Sequence, residues 1–189
     1  MKLHSRTSPW ITTTSLLWGL MVALLLSVGN TVFARGVYQD PVAFVQEAFD
    51  GKPPAARILW LTSDIRPVAE KILSHKPTTR RVRYWASRQR SVWILDEIGK
   101  DQPITVGIII NQGKLEKIKI LVFRESRGDE VRYPSFTDQF TRASLTDEYQ
   151  LDQTVDGISG ATLSVRAVKK LSRLALYYHN KITVSHDSP

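Results

Sequence analysis

The chain has 189 residues, with 26 basic and 18 acidic side chains and a net charge of +8. It contains no cysteine, which excludes a disulfide, a Cys-ligated iron–sulfur cluster, a Cys-x-x-Cys-His haem attachment and a lipobox. His4, His75, His179 and His186 stand apart without metal-ligand spacing, so they read as solvent-facing or core histidines.

Residues 1–34 read as a secretory signal or a membrane anchor. Lys2 and Arg6 form a weakly basic start, Leu16–Val28 is an uncharged run, and Val32-Phe33-Ala34 has the character of a cleavage site. The thirteen residues of that run are short for a membrane span, which needs about twenty. Residues 11–34 are uncharged throughout, however, and keep the anchor open beside the favoured cleavage after Ala34. An Arg-Arg pair is absent from this segment, which favours general secretion over twin-arginine export. Removing residues 1–34 leaves 24 basic and 18 acidic side chains, a net charge of +6 over 155 residues. That length suits one domain with one core.

A short helix is expected over Pro41–Phe49, ended by Gly51-Lys52-Pro53-Pro54. Ile58–Leu61 is a short apolar run, and Asp64 is placed to cap a helix over Arg66–Leu73, with Pro67 in its first turn. Arg81–Glu97 reads as two strands with a turn near Ser87–Arg90. The clearest hairpin pairs Ile104–Ile110 with Leu115–Phe123 across Asn111-Gln112-Gly113-Lys114, with one face wet and one packed. Tyr133–Phe140 reads as a short helix. From Leu163 the pattern turns helical, with Val165, Val168, Leu171, Leu174, Ala175 and Tyr178 on one side and Arg166, Lys169, Lys170 and Arg173 between them. The sum is an α+β domain: an antiparallel sheet with flanking helices.

Chemistry concentrates just before that last helix. Gly157 and Gly160 interrupt regular structure, so Thr162 is expected in or beside the first helical turn, where free N–H groups and the helix dipole favour an anion. The small Gly160 and Ala161 would leave room for a phosphate. The plainer alternative makes Ser159 or Thr162 an ordinary N-cap.

Asp156-Gly157-Ile158-Ser159-Gly160-Ala161-Thr162-Leu163-Ser164 resembles the flavin-attachment motif of the FMN-binding domain family, approximately Asp-x-x-Ser/Thr-Gly-Ala-Thr. Its best-known members are flavin-carrying subunits of the sodium-pumping NADH:quinone oxidoreductase and of the Rnf complex. A second stretch, Phe123–Val131 with Phe136 and Gln139-Phe140, resembles the strand-end segment of the smaller exported branch. The better-known subunits carry Glu-Thr-Pro-Gly there.

The resemblance implies FMN bound covalently to Thr162 through a phosphodiester. Asp156, Ser159, Gly160 and Ala161 would serve recognition and geometry, with Leu163 and Ser164 completing the cofactor segment. It offers Glu125, Ser126 and Arg127 as flavin contacts. It also implies a magnesium-dependent FAD:protein FMN transferase as partner, since threonine is a poor nucleophile without an activating base or metal.

The implied division is 1–34 signal or anchor, 35–89 the motif-free part of the mature domain, 90–182 the FMN-binding core and 183–189 a tail. The expected function is an exported, extracytoplasmic electron carrier rather than a stand-alone enzyme, working with a membrane or soluble redox partner. The alternative is an exported binding module holding a phosphate-containing ligand noncovalently, or none. Arg80, Arg81, Arg83, Arg88 and Arg90, interleaved with Tyr84 and Trp85, read first as a solvated face and second as a surface for anionic membrane or a redox partner. Nucleic acid is not an expected partner of an exported chain.

Overall fold

The structure, a computed structural model, describes residues 36–184. The signal or anchor segment of 1–34 and most of the 183–189 tail lie outside the described residues. Within them, α1 (Pro41–Ala48) precedes β1 (Arg57–Trp60), α2 (Ile65–Leu73), β2 (Arg81–Ser87), β3 (Arg90–Ile98), β4 (Pro103–Asn111) and β5 (Lys114–Phe123). Short 3-10 turns at Asp129–Arg132 and Asp138–Phe140 flank α3 (Pro134–Thr137), and α4 (Thr162–Val184) closes the fold. The five strands form one antiparallel meander in the order β1-β2-β3-β4-β5. The fold is α+β, as the periodicities predict.

The hairpin between β4 and β5 turns through Gln112 and Gly113, at φ 52° and 74°. Positive φ at both central residues matches the twist of the flanking strands. Asp64 occupies the N-cap position of α2 but does not cap it. Its backbone is already helical, at φ −88° and ψ −31°, and its carboxylate accepts from the Thr62 hydroxyl at 2.5 Å. The expected single helix over Tyr133–Phe140 is instead α3 with a 3-10 turn after it, and another 3-10 turn precedes it.

One face of the sheet carries the main core. Tyr84, Trp93, Ile108 and Ile118 lie opposite one another across β2–β5, and Tyr84 stacks on Trp93 with centroids 4.9 Å apart. Helix α4 lies on this face and brings Tyr178 to within 5.6 Å of the Trp93 ring. Glu97, 6% exposed on β3, accepts from Lys170 of α4 at 3.1 Å and from His75 at 3.0 Å. Lys170, expected on the wet side of the helix, therefore turns inward.

The second face departs from the one-wet-face expectation for the central hairpin. Residues 104–110 of β4 are all buried, because Phe44, Val45 and Ala48 of α1 cover Val92, Ile109 and Leu121. Gly107 makes that contact possible: a Cβ there would lie 2.5 Å from the Phe44 ring. Gly107→Ala should destabilise the domain by about 1–3 kcal/mol through overpacking, outweighing the ~0.5–1 kcal/mol that alanine gains over glycine inside a strand. Urea unfolding checks this; an unchanged midpoint would show that Phe44 moves freely.

Candidate functional site

Helix α4 has an open beginning. The chain enters it through a turn closed by the Ala161 N–H donating to the Ile158 carbonyl at 3.0 Å. Gly160 is the third residue of that turn at φ 82°, with nothing within 4 Å of where a Cβ would sit. Glycine is needed there for its backbone, and the space around it is free. The Ala161 carbonyl accepts from Val165 N–H at 2.9 Å, which makes Ala161 the N-cap. The expectation that Ser159 or Thr162 caps the helix therefore fails.

Alanine offers no side-chain acceptor. Among the described residues, the N–H groups of Thr162, Leu163 and Ser164 find no acceptor at all. These donors and the positive helix end form an anion-favouring site around an exposed threonine. Ala161 itself is 2% exposed and belongs to the core, so its small size serves packing rather than room for a phosphate.

The segment ahead of the turn is tied down from two sides. Asp156 N–H donates to Gln139 Oε1 at 2.7 Å, and the Gln153 amide donates to the Gln139 carbonyl. Lys169 Nζ, from the second turn of α4, donates to the Val155 carbonyl at 2.5 Å. The Asp156 side chain stays exposed, and its carboxylate makes no hydrogen bond among the described residues. Ser159 is also exposed. In the sequence Gln139 stands out only through the resemblance; its role as the clamp on the motif comes from the structure.

The second segment arrives from the end of β5. Glu125 Oε1 accepts from the backbone N–H groups of Lys100, Asp101 and Gln102 at 2.5, 2.7 and 2.9 Å. That oxygen shapes the β3–β4 loop. Gly99 fits beside it because a Cβ would lie 2.9 Å from the same oxygen. Gly128, at φ 88°, touches the first turn of α4: a Cβ there would lie 2.6 Å from Ser164 Oγ and 3.4 Å from the Ala161 methyl. Ser164 is 4% exposed, so it serves this contact as well as the wall of the site.

Between the two segments runs an open cleft of ≈ 610 Å³. Glu125, Ser126, Arg127 and Lys100 line one side, and Gly160 through Ser164 line the other. The fold thus joins two stretches more than thirty positions apart in the chain. Lys100 is the lining residue that sequence reading missed, since nothing in its local pattern marks it. A second cleft of ≈ 480 Å³ lies along α4 beside Arg166, Lys169 and Arg173, and Thr162 borders both. Among the described residues, no cluster of three or more His, Cys, Asp or Glu side chains could hold a metal ion.

Burial works to raise the Glu125 pKa, but its three backbone N–H bonds and the nearby Lys100 outweigh it, holding the carboxyl below the usual glutamate range. A folded pKa below the unfolded one means that the carboxylate's contribution is complete above the unfolded value. It is lost as pH falls through the folded value. The melting temperature of the wild type should therefore drop more steeply than that of Glu125→Gln on acidification below about pH 4. Equal slopes would show that the carboxylate does not hold the loop.

Residues 99–177 match the FMN-binding domain family. No curated protein matches the chain. The matched span opens at the loop held by Glu125, takes in the β4–β5 hairpin and both walls of the cleft, and ends within α4. An exposed hydroxyl beside unpaired helix N–H groups, facing a cleft of ordinary ligand size, fits a flavin phosphate and its ring. The matched span, residues 99–177, is an FMN-binding domain.

Proposed function

We propose that this chain is an exported flavoprotein that carries FMN on Thr162 through a phosphodiester and relays electrons outside the cytoplasmic membrane. The observation that carries the reading is the position of Thr162: exposed, first in α4, among three N–H groups without acceptors, on the rim of the cleft. Those donors and the helix dipole would hold a phosphate diester. Lys100 and Arg127 add positive charge at the cleft, while Leu163, 40% exposed, offers an apolar surface at its edge. The flavin, when bound, supplies reversible acceptance of one or two electrons.

Attachment needs help from outside the chain. Among the described residues, the Thr162 hydroxyl has no hydrogen-bond partner to act as a base. A magnesium-dependent transferase acting on FAD would supply that activation. Thr162 Oγ1 forms the new P–O bond, the diphosphate bond breaks, AMP leaves, and the hydroxyl proton passes to the enzyme. The exposed Ser159, Gly160 and Asp156 carboxylate present a surface for that enzyme to recognise.

The open cleft suits exchange with a docking redox partner better than hydride chemistry in a closed pocket. Co-expression of the chain with such a transferase should add roughly 440 Da, stable to denaturation as a phosphodiester is, and Thr162→Val should remove it. Loss of a side-chain hydroxyl that caps nothing should leave stability within about 0.5 kcal/mol. Retention of the added mass in the variant would overturn Thr162 as the anchor, and its absence from the wild type would leave a noncovalent binding module.

A further inference from the structure

The far end of α4 holds a buried histidine whose bonding fixes its proton. His179 is 3% exposed, and Ser91 of β3 is fully buried. Ser91 Oγ accepts from Trp93 Nε1, which can only donate, at 2.8 Å. The same oxygen lies 2.7 Å from His179 Nδ1. Among the described residues the Ser91 hydroxyl hydrogen has no other acceptor, so it is donated to Nδ1. Burial lowers the His179 pKa and keeps the ring neutral at pH 7. The ring hydrogen therefore sits on Nε2, where it finds no acceptor among the described residues. Gln39 Oε1, Arg90 Nε and Arg173 Nε are the described buried atoms sealed away without a partner. His179 Nε2 is not sealed in this way and opens on the cavity that His179 lines.

That cavity, of ≈ 390 Å³, lies between the last turns of α4 and the β2–β3 turn. Its volume suits a small molecule. Tyr84, Ala86 and Ile182 give it an apolar wall, and Gln89, Gln112 and Asn180 bring amides. Arg57 and Arg88 bring positive charge, Arg90 borders it while paired with Glu116, and none of the described lining residues is acidic. Arginine near a helix C-terminus ordinarily answers the negative end of the dipole. That role accounts for the cations. It does not account for a buried N–H that Trp93 and Ser91 hold toward open space, since an unmade bond to a buried donor is costly.

We infer that this cavity binds a small organic anion, whose carboxylate or phosphate oxygen accepts from His179 Nε2 and pairs with Arg88 while its apolar body lies against Tyr84 and Ile182. From Thr162 to His179 is seventeen residues of α4, about 26 Å along the axis. The site is therefore separate from the cleft at Thr162 and independent of flavin there. Its occupation would tie the end of α4 to the β2–β3 turn.

The chain has four histidines, so isotope labelling of histidine nitrogens in the full protein gives few side-chain NMR signals. His179 should show a ring protonated on Nε2 alone. Its Nε2 signal should move saturably with butyrate or with inorganic phosphate, each added to about 10 mM, ten times a millimolar Kd. A response to butyrate alone identifies a carboxylate ligand, to phosphate alone a phosphate, and to both a site for either. The signal of His75, held by Glu97, should stay in place. Arg88→Gln should weaken binding about tenfold, as loss of a charged hydrogen bond does. Arg81→Gln removes the same charge from the face of β2 opposite Tyr84 and should not weaken it. A ring protonated on Nδ1, or an Nε2 signal unmoved by both anions, would overturn the inference. So would equal weakening by the two arginine variants, which would reduce the effect to general charge attraction.

Discussion

The docking of α4 on the sheet is the constraint from which the site follows. Val168, Leu171, Ala175, Leu176 and Tyr178 are buried along one side of the helix, each large member contributing about 1.5–3 kcal/mol of burial. Tyr178 meets Trp93, and Lys170 reaches the buried Glu97 on β3. An apolar stripe can slide; a buried carboxylate shared by Lys170 and His75 cannot do so cheaply, because a stranded charge costs several kcal/mol. The helix is therefore held in register, and its first turn is delivered to one fixed point beside the end of β5.

At that point neighbouring residues divide the work. Ala161 and Ser164 are buried and bind the turn to Gly128, while Thr162 between them remains exposed. The two glycines of the site answer different demands. Gly160 has open space and needs only its positive φ, whereas Gly128 needs a positive φ and also lacks room for any side chain. Alanine at the N-cap gives up the usual cap hydrogen bond, commonly worth about 1 kcal/mol. The same choice leaves the helix N–H groups available to a ligand. Local stability is conceded where the site gains donors, a pattern seen at functional sites generally.

The two faces of the sheet are finished differently. On one, α4 completes a deep core and presents the cleft. On the other, the eight-residue α1 covers three strands and stops, leaving β1 and β2 with Trp60, Ile58 and two arginines outward. Among the described residues no helix is long and apolar enough to cross a membrane.

Much of the architecture was legible in the chain. The helical period after Leu163, the Gln112-Gly113 turn between β-branched runs, and the breaks at Gly51–Pro54 and Ser87–Arg90 are local signals, and local backbone preference decided them. The motif Asp156–Thr162 was legible for the same reason: it is contiguous, and its resemblance pointed to the family that the matched span shows. Tertiary structure decided which faces are covered and which side chains are spent. Residues 104–110 are buried on both sides because α1 arrives from sixty positions earlier. Glu125 is committed to a loop at 100–102, Gln139 clamps the motif, and Lys100 enters the cleft. The arginines of one strand pair are divided between separate surfaces. Each of these depends on partners distant in the chain, and periodicity reports only which side of an element is apolar, never what meets it.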